Sequence, residues 1–181
     1  MNGEGSGGRG EKVFHWSKMC QSTSRYTRGV VTIRFGTYNI FNGRNGGLEL
    51  ALRGVSQANM DLGIFQETEV TDGIYTRGPD GYSVVATDAP IRHRGRVGVF
   101  NRPAPHFAVE AFQQFGPNVV GLQPAMGERR WYIVGCYLAP ADTSTIESVV
   151  AALKERPRGA ELLVVGDFNA NLAEPEGDRR R

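Results

Sequence analysis

A chain of 181 residues, 40% apolar and 22% charged, is long enough to bury its own core as one globular domain, which excludes a low-complexity or disulfide-stapled scaffold. A net charge of +2 makes no case for a polyanionic partner; only a local basic cluster can make one. Cys20 and Cys136 lie in unlike stretches, so they read as free thiols in a reducing compartment, and no CxxC or Cys/His cluster points to zinc.

The first residues contain no apolar stretch, Asn2 stands where myristoylation needs glycine, and no apolar run approaches membrane-spanning length. The sequence therefore predicts an intracellular protein, cytoplasmic or nuclear, neither secreted nor membrane-bound. Residues 1–28 read as a poorly ordered leader, with five glycines in the first ten positions. Order is expected from about Val30, where Val31, Ile33 and Phe35 alternate with polar or small residues in a strand that runs into Thr37-Tyr38-Asn39-Ile40. After an Asn/Gly loop, Leu48, Ala51, Leu52 and Val55 form one apolar helical stripe. Leu62-Gly63-Ile64-Phe65 is a short strand ending in Gln66-Glu67, so the opening is a βαβ-like unit. Tyr82–Ala86 and Val97–Asn101 read as strands, and Val109–Phe115 and Val119–Leu122 as weaker ones. Trp131–Tyr137 is apolar on both faces, which fits a central strand. Ser144 and Glu147 fit a capping box that opens a second helix with the stripe Ile146, Val149, Val150 and Leu153, and Pro157 stops it. Leu162-Leu163-Val164-Val165 is expected to be another buried strand, leading into Gly166-Asp167-Phe168-Asn169. Residues 29–172 are thus the domain, and residues 173–181 a charged tail.

One pattern recurs. Apolar strands run directly into polar residues: Asn39, Glu67, Tyr137, and the pair Asp167 and Asn169. Strand ends let a rigid sheet hold reactive groups at an open edge. Asp167 and Asn169, two apart, leave one face if the strand stays extended. A carboxylate such as Glu67 suits a hard cation, and Asn and Tyr bind phosphate without adding repulsive charge. Singly, a strand-end Asn or Asp is most often turn chemistry; the weight lies in the joint occurrence.

As an ordered set, Thr37-Tyr38-Asn39, Gln66-Glu67-Thr68, Tyr137-Leu138-Ala139-Pro140 and Gly166-Asp167-Phe168-Asn169-Ala170 resemble the motifs of the endonuclease/exonuclease/phosphatase, or deoxyribonuclease-I-like, superfamily. Gly98-Val99-Phe100 resembles its glycine-bearing strand before the midpoint. The run Asp167–Leu172 with Pro175–Arg180 is most similar to endonuclease domains of LINE-type retrotransposons. The resemblance implies an α/β fold, a four-layer α/β-sandwich, here expected to be incomplete. It implies that Glu67, supported by Asn39, holds Mg2+ or Mn2+, that Asp167 orients or deprotonates the attacking water, and that Asn169 and Tyr137 bind the scissile phosphate. It implies DNA, or RNA, as the partner, with no small-molecule cofactor and no membrane.

Family members finish on a Ser-Asp-His motif, whereas His15, His93 and His106 all precede Asn169 here. The expectation is a C-terminally truncated domain, weakly active or inactive, whose missing half comes from elsewhere if at all. Phosphomonoesterase or lipid phosphodiesterase chemistry, and a non-catalytic nucleic-acid-binding remnant, are the alternatives. Arg92, Arg94 and Arg96, with His93 and Arg102 nearby, can contact a nucleic-acid backbone or be a solvated loop.

Overall fold

The computed structural model describes residues 14–15, 33–41, 46–68, 74–75, 78–88, 96–102, 104, 107–126, 129–139 and 142–169. Most of the expected leader and all of the expected charged tail lie outside them. The elements in chain order are β1 (Phe14–His15), β2 (Phe35–Asn39), α1 (Gly47–Gln57), β3 (Leu62–Gln66), β4 (Ile74–Tyr75), β5 (Ser83–Ala86), β6 (Val97–Asn101), β7 (Phe107–Gly116), β8 (Val119–Met126), β9 (Arg129–Tyr137), α2 (Ser144–Lys154) and β10 (Glu161–Asp167). No helix among the described residues is long and apolar enough to cross a membrane.

The strands form two five-stranded mixed sheets, ordered β2-β3-β6-β5-β4 and β1-β7-β8-β9-β10. β2 runs parallel to β3, and β9 parallel to β10; the remaining pairs are antiparallel. The sheets face each other across a core that takes Leu62, Ile64, Val85, Val97 and Val99 from one and Phe107, Val109, Phe112, Val120, Leu122 and Ile133 from the other. α1 covers the first sheet, with Leu48 and Leu52 buried against Ile40, Phe65, Tyr82, Val84 and Phe100. α2 covers the second, with Ala152 packed among Val119, Tyr132, Val134 and Cys136. Both faces of β9 are therefore buried, as its unbroken apolar run implies. The fold is an α/β sandwich whose described residues form four layers, helix–sheet–sheet–helix.

Several local readings change. The β7–β8 hairpin, the weaker expectation, holds the longest strand, β7 with ten residues, paired to β8 with eight, against nine for β9. Two short pairings were not legible at all: β1 on β7 and β4 on β5. β10 is not buried: its residues run from exposed to half-buried, with Leu162 37% exposed, because β9 is its one neighbour among the described strands. The Ser144–Glu147 capping box does not form either. Ser144 is already helical, and Thr143 at the N-cap makes no side-chain cap bond. The Asp142 carboxylate takes over, accepting from Ser144 N (3.0 Å), Ser144 Oγ (2.6 Å) and Thr145 Oγ1 (2.7 Å). The bonds from Ser144 and then Thr145 hold its carboxyl below the usual range.

Candidate active site

The two parallel pairs end at the same end of the sandwich, since β10 packs across the core against β2 and β3. In register, Asn39 stands opposite Gln66, and Tyr137 opposite Asp167. Four strand C-termini from two sheets thus meet, and each delivers one polar residue.

Sharp backbone turns aim these residues. Glu67 (φ 56°) and Asn169 (φ 44°) both adopt the left-handed region just past a strand end. That conformation is uncommon for a residue with a Cβ and is tolerated where the surroundings over-determine it. Below Asp167, Gly166 has φ 151°, and a Cβ there would lie 1.8 Å from the Cys136 carbonyl oxygen. No other residue fits the approach that carries Asp167 to the rim.

Asn39 sits at the centre. Its Nδ2 donates to Glu67 Oε1 at 3.0 Å and to Asp167 Oδ2 at 2.9 Å, so one amide joins carboxylates that belong to opposite sheets. Its Oδ1 accepts from Phe41 N at 2.8 Å, which fixes the amide's orientation. Asp167 Oδ1 accepts from Asn169 N at 3.0 Å, and Asn169 Nδ2 donates to Leu138 O at 2.8 Å. The Tyr137 phenol is raised above its ordinary value, first by burial and then by a hydrogen bond to Glu67, while a bond from Asn169 opposes the shift. It therefore stays protonated, and a donor, at neutral and mildly alkaline pH. Asn39, Glu67, Tyr137 and Asp167 are half-buried and Asn169 is exposed, so the cluster is firmly held yet open.

All five strand-end residues singled out in the sequence come together. The basic trio does not join them as described: Arg92 and Arg94 lie outside the described residues, and Arg96 is 2% exposed, inside the protein rather than on its surface. His93 and His106 also lie outside the described residues. Sequence reading missed Asn118, 3% exposed, whose carbonyl accepts from Tyr137 N at 3.0 Å and whose Nδ2 donates to Thr145 Oγ1 at 3.4 Å. The Pro117-Asn118 turn was its only signal. It also passed over Gln66 as a brace: 1% exposed, it donates from Nε2 to Thr37 Oγ1 at 2.7 Å and locks β2 to β3 beneath Asn39.

The donor set suits a hard cation. Magnesium takes one or two carboxylates and fills its other positions with water and substrate oxygens, which Glu67 and Asp167 allow. No three His, Cys, Asp or Glu side chains cluster among the described residues, so a closed zinc-type cage does not fit there. Cys136, beneath Asp167, is buried, and burial pushes its thiol up to about 11, with the Asp167 charge adding to the shift; it is an inert packing residue.

The profile of the endonuclease/exonuclease/phosphatase family matches residues 36–181. Among solved structures, the chain is similar to an AP endonuclease from Archaeoglobus fulgidus, with 16% identity and TM-score 0.51 over 76% of this chain and 58% of that one. It is similar to a humanized TDP2 from D. rerio, with 15% identity and TM-score 0.54 over 77% and 63%. It is similar to the endonuclease domain of TRAS1, a telomere-specific non-LTR retrotransposon, with 19% identity and TM-score 0.53 over 77% and 60%. The chain thus spans less than two thirds of each of these structures, and at such identities they speak for the fold alone. No curated protein matches it.

Proposed function

The chain belongs to the endonuclease/exonuclease/phosphatase family, and from that premise we propose that it is a metal-dependent phosphodiesterase of nuclease type acting on DNA, or on RNA. One observation carries the reading: the Asn39 amide bonded at once to Glu67 and Asp167. Two carboxylates held this close repel a phosphodiester unless a cation offsets them, and a fold that braces them together is built for that arrangement. Glu67 would hold the cation with Asn39 and Asp167 beside it. Bound there, Mg2+ or Mn2+ would supply positive charge to the phosphoryl and leaving oxygens.

The protein's own groups do the remainder. Asp167 accepts the proton of a water placed in line with the phosphorus. The protonated Tyr137 phenol and the Asn169 amide donate to the non-bridging oxygens, where negative charge grows in the transition state. The brace through Asn39 keeps these groups in place. Retroelement origin belongs to the same reading, supported by the run Asp167–Leu172. So does slow turnover of these 181 residues alone, since no histidine follows Asn169 to assist at the phosphate.

The test is a magnesium titration followed by thermal melting, on the wild type and on Glu67→Gln. Weak, saturable stabilisation of the wild type is expected, with a marked loss in the variant; at a concentration of 100 times Kd the wild type gains about 2.7 kcal/mol. Equal affinity in the two proteins removes Glu67 from the metal site.

A further inference from the structure

The turn Pro117-Asn118 joins β7 to β8 and is tied on three sides. Toward the first sheet, the Pro117 carbonyl accepts from Val97 N at 3.3 Å and from the Thr87 hydroxyl at 2.5 Å. Arg96, the residue before Val97, gives its carbonyl to Thr68 N at 3.1 Å, directly behind Glu67. Toward the second sheet, the Asn118 carbonyl accepts from Tyr137 N at 3.0 Å. Outward, Asn118 Nδ2 donates to Thr145 Oγ1 at 3.4 Å, on the first turn of α2. Two consecutive carbonyls thus reach both sheets. One binds the start of the strand that backs Glu67, and the other binds the residue whose phenol bonds to Glu67.

Donor and acceptor chemistry fixes the direction of the Asn118 amide. A threonine hydroxyl has one proton, and Thr145 commits its proton to Asp142 Oδ2 at 2.7 Å. Toward Asn118 it can only accept, so the amide nitrogen faces it. Asn118 Oδ1 turns the other way, where it is buried with no partner among the described residues. Asn118 and Thr145 are both 3% exposed. A buried acceptor left unpaired destabilises the fold. A leucine of similar size would leave no such atom, so Asn118 is a poor choice for stability alone. What it supplies is a directed bond from the turn to α2.

We propose that Asn118 is a positioning residue: anchored to the start of α2 through Thr145, it holds the turn that sets Tyr137 against Glu67. The proposal rests on the phosphodiesterase reading for what Tyr137 and Glu67 do, and it makes α2 the outer support of the site. Tyr137 is the last residue of β9, where the sheet can no longer hold it from both sides along its length. On one flank it stands opposite Asp167 of β10, a strand with β9 as its one neighbour among the described strands. The firmer flank is the Asn118 carbonyl. A turn that slides takes this acceptor from Tyr137 N and moves the phenol relative to Glu67. The Asn39 bonds to Glu67 and Asp167 do not pass through the turn and stay. A donor to the phosphoryl oxygens works only when it is held in place before the reaction.

The experiment compares wild type, Asn118→Ala, Thr145→Val and Thr145→Ser by NMR with 13C-labelled tyrosine rings, beside magnesium-dependent plasmid nicking. Tyr132 and Tyr137 both belong to β9, and Tyr→Phe variants assign their resonances. The Tyr137 ring signal is expected to shift in Asn118→Ala and Thr145→Val and to stay in Thr145→Ser, which keeps the hydroxyl. The buried Tyr132 ring is the internal control and should not move. Nicking should fall about ten-fold or more in the first two variants, since misplacement of about 1 Å costs roughly a hundredfold. Thr145→Ser should nick like the wild type. An unmoved Tyr137 overturns the proposal, and so does an equal shift of Tyr132, which would mean general loosening. Thr145→Ser behaving like Thr145→Val overturns it too, as does a Tyr137 shift that leaves the rate of an active wild type unchanged. If Asn118→Ala fails to fold, the two Thr145 variants decide alone. A Tyr137 shift with no magnesium-dependent nicking by any protein, wild type included, supports the positioning and sinks the hydrolase reading. Nicking that Asp167→Ala abolishes, with Tyr137 and the rate unmoved in Thr145→Val, sinks the positioning alone.

Discussion

Asp167→Ala is expected to lower magnesium-dependent nicking of supercoiled plasmid by about 100- to 10,000-fold, the range that a positioned acid–base group contributes. The loss has two sources. The variant has no group to take the proton of the attacking water. It also frees one hydrogen bond of the Asn39 amide and one of the Asn169 backbone N–H, and a displacement of about 1 Å in either group costs roughly another hundredfold. Asp167→Asn separates the two, because it keeps the shape and one accepting oxygen while removing the base. If Asp167 acts as the base, Asp167→Asn stays slow although it keeps the shape; if Asp167 only positions its neighbours, Asp167→Asn recovers most of the rate. The wild-type rate is itself expected to be low, so nicking must be followed over long incubations against a metal-free control. Wild-type nicking that Asp167→Ala leaves untouched removes Asp167 from the chemistry. Rapid wild-type nicking that the variant abolishes would mean that these residues suffice without a histidine.

Much of this arrangement was legible because it depends on period and order. The stripe from Leu48 to Val55 and the two-faced apolar run of β9 specify which surfaces are buried, and the structure buries them. The convergence of the five residues of the candidate site was legible because each ends such a run. What stayed hidden depends on geometry that periodicity does not encode. Nothing in Gln66-Glu67-Thr68 announces a left-handed Glu67, which arises where the chain leaves β3 and Thr68 N bonds to Arg96 O at 3.1 Å. Arg96 looked like part of a surface cluster because its neighbours are polar, yet it enters β6 and its side chain turns inward. β10 looked buried because Leu162 to Val165 are apolar, although a strand with one neighbour among the described strands stays half-open. The cap of α2 fell to Asp142 rather than Ser144, a shift of two residues that composition cannot resolve.

Asn39→Asp tests the centre of the site through stability rather than rate. The wild-type amide donates to Glu67 and to Asp167 from one nitrogen. Hydrogen bonds to charged acceptors contribute about 1.5–3 kcal/mol each, and a carboxylate in place of the amide turns both attractions into like-charge contacts. In EDTA the variant is expected to lose roughly 3 kcal/mol of unfolding free energy, read from urea denaturation. Added magnesium should restore most of it, since a third carboxylate strengthens the site and a cation that binds only the folded state stabilises it by mass action. Asn39→Leu is the control: it loses the same two hydrogen bonds and adds no charge, so it should be destabilised and gain no more from magnesium than the wild type does. The Phe41 N–H keeps an acceptor in Asn39→Asp and loses it in Asn39→Leu. An Asn39→Asp protein as stable as the wild type in EDTA would mean that Glu67 and Asp167 are not held together by this amide in solution. Destabilisation that magnesium leaves unchanged would mean that the joined carboxylates do not form a cation site.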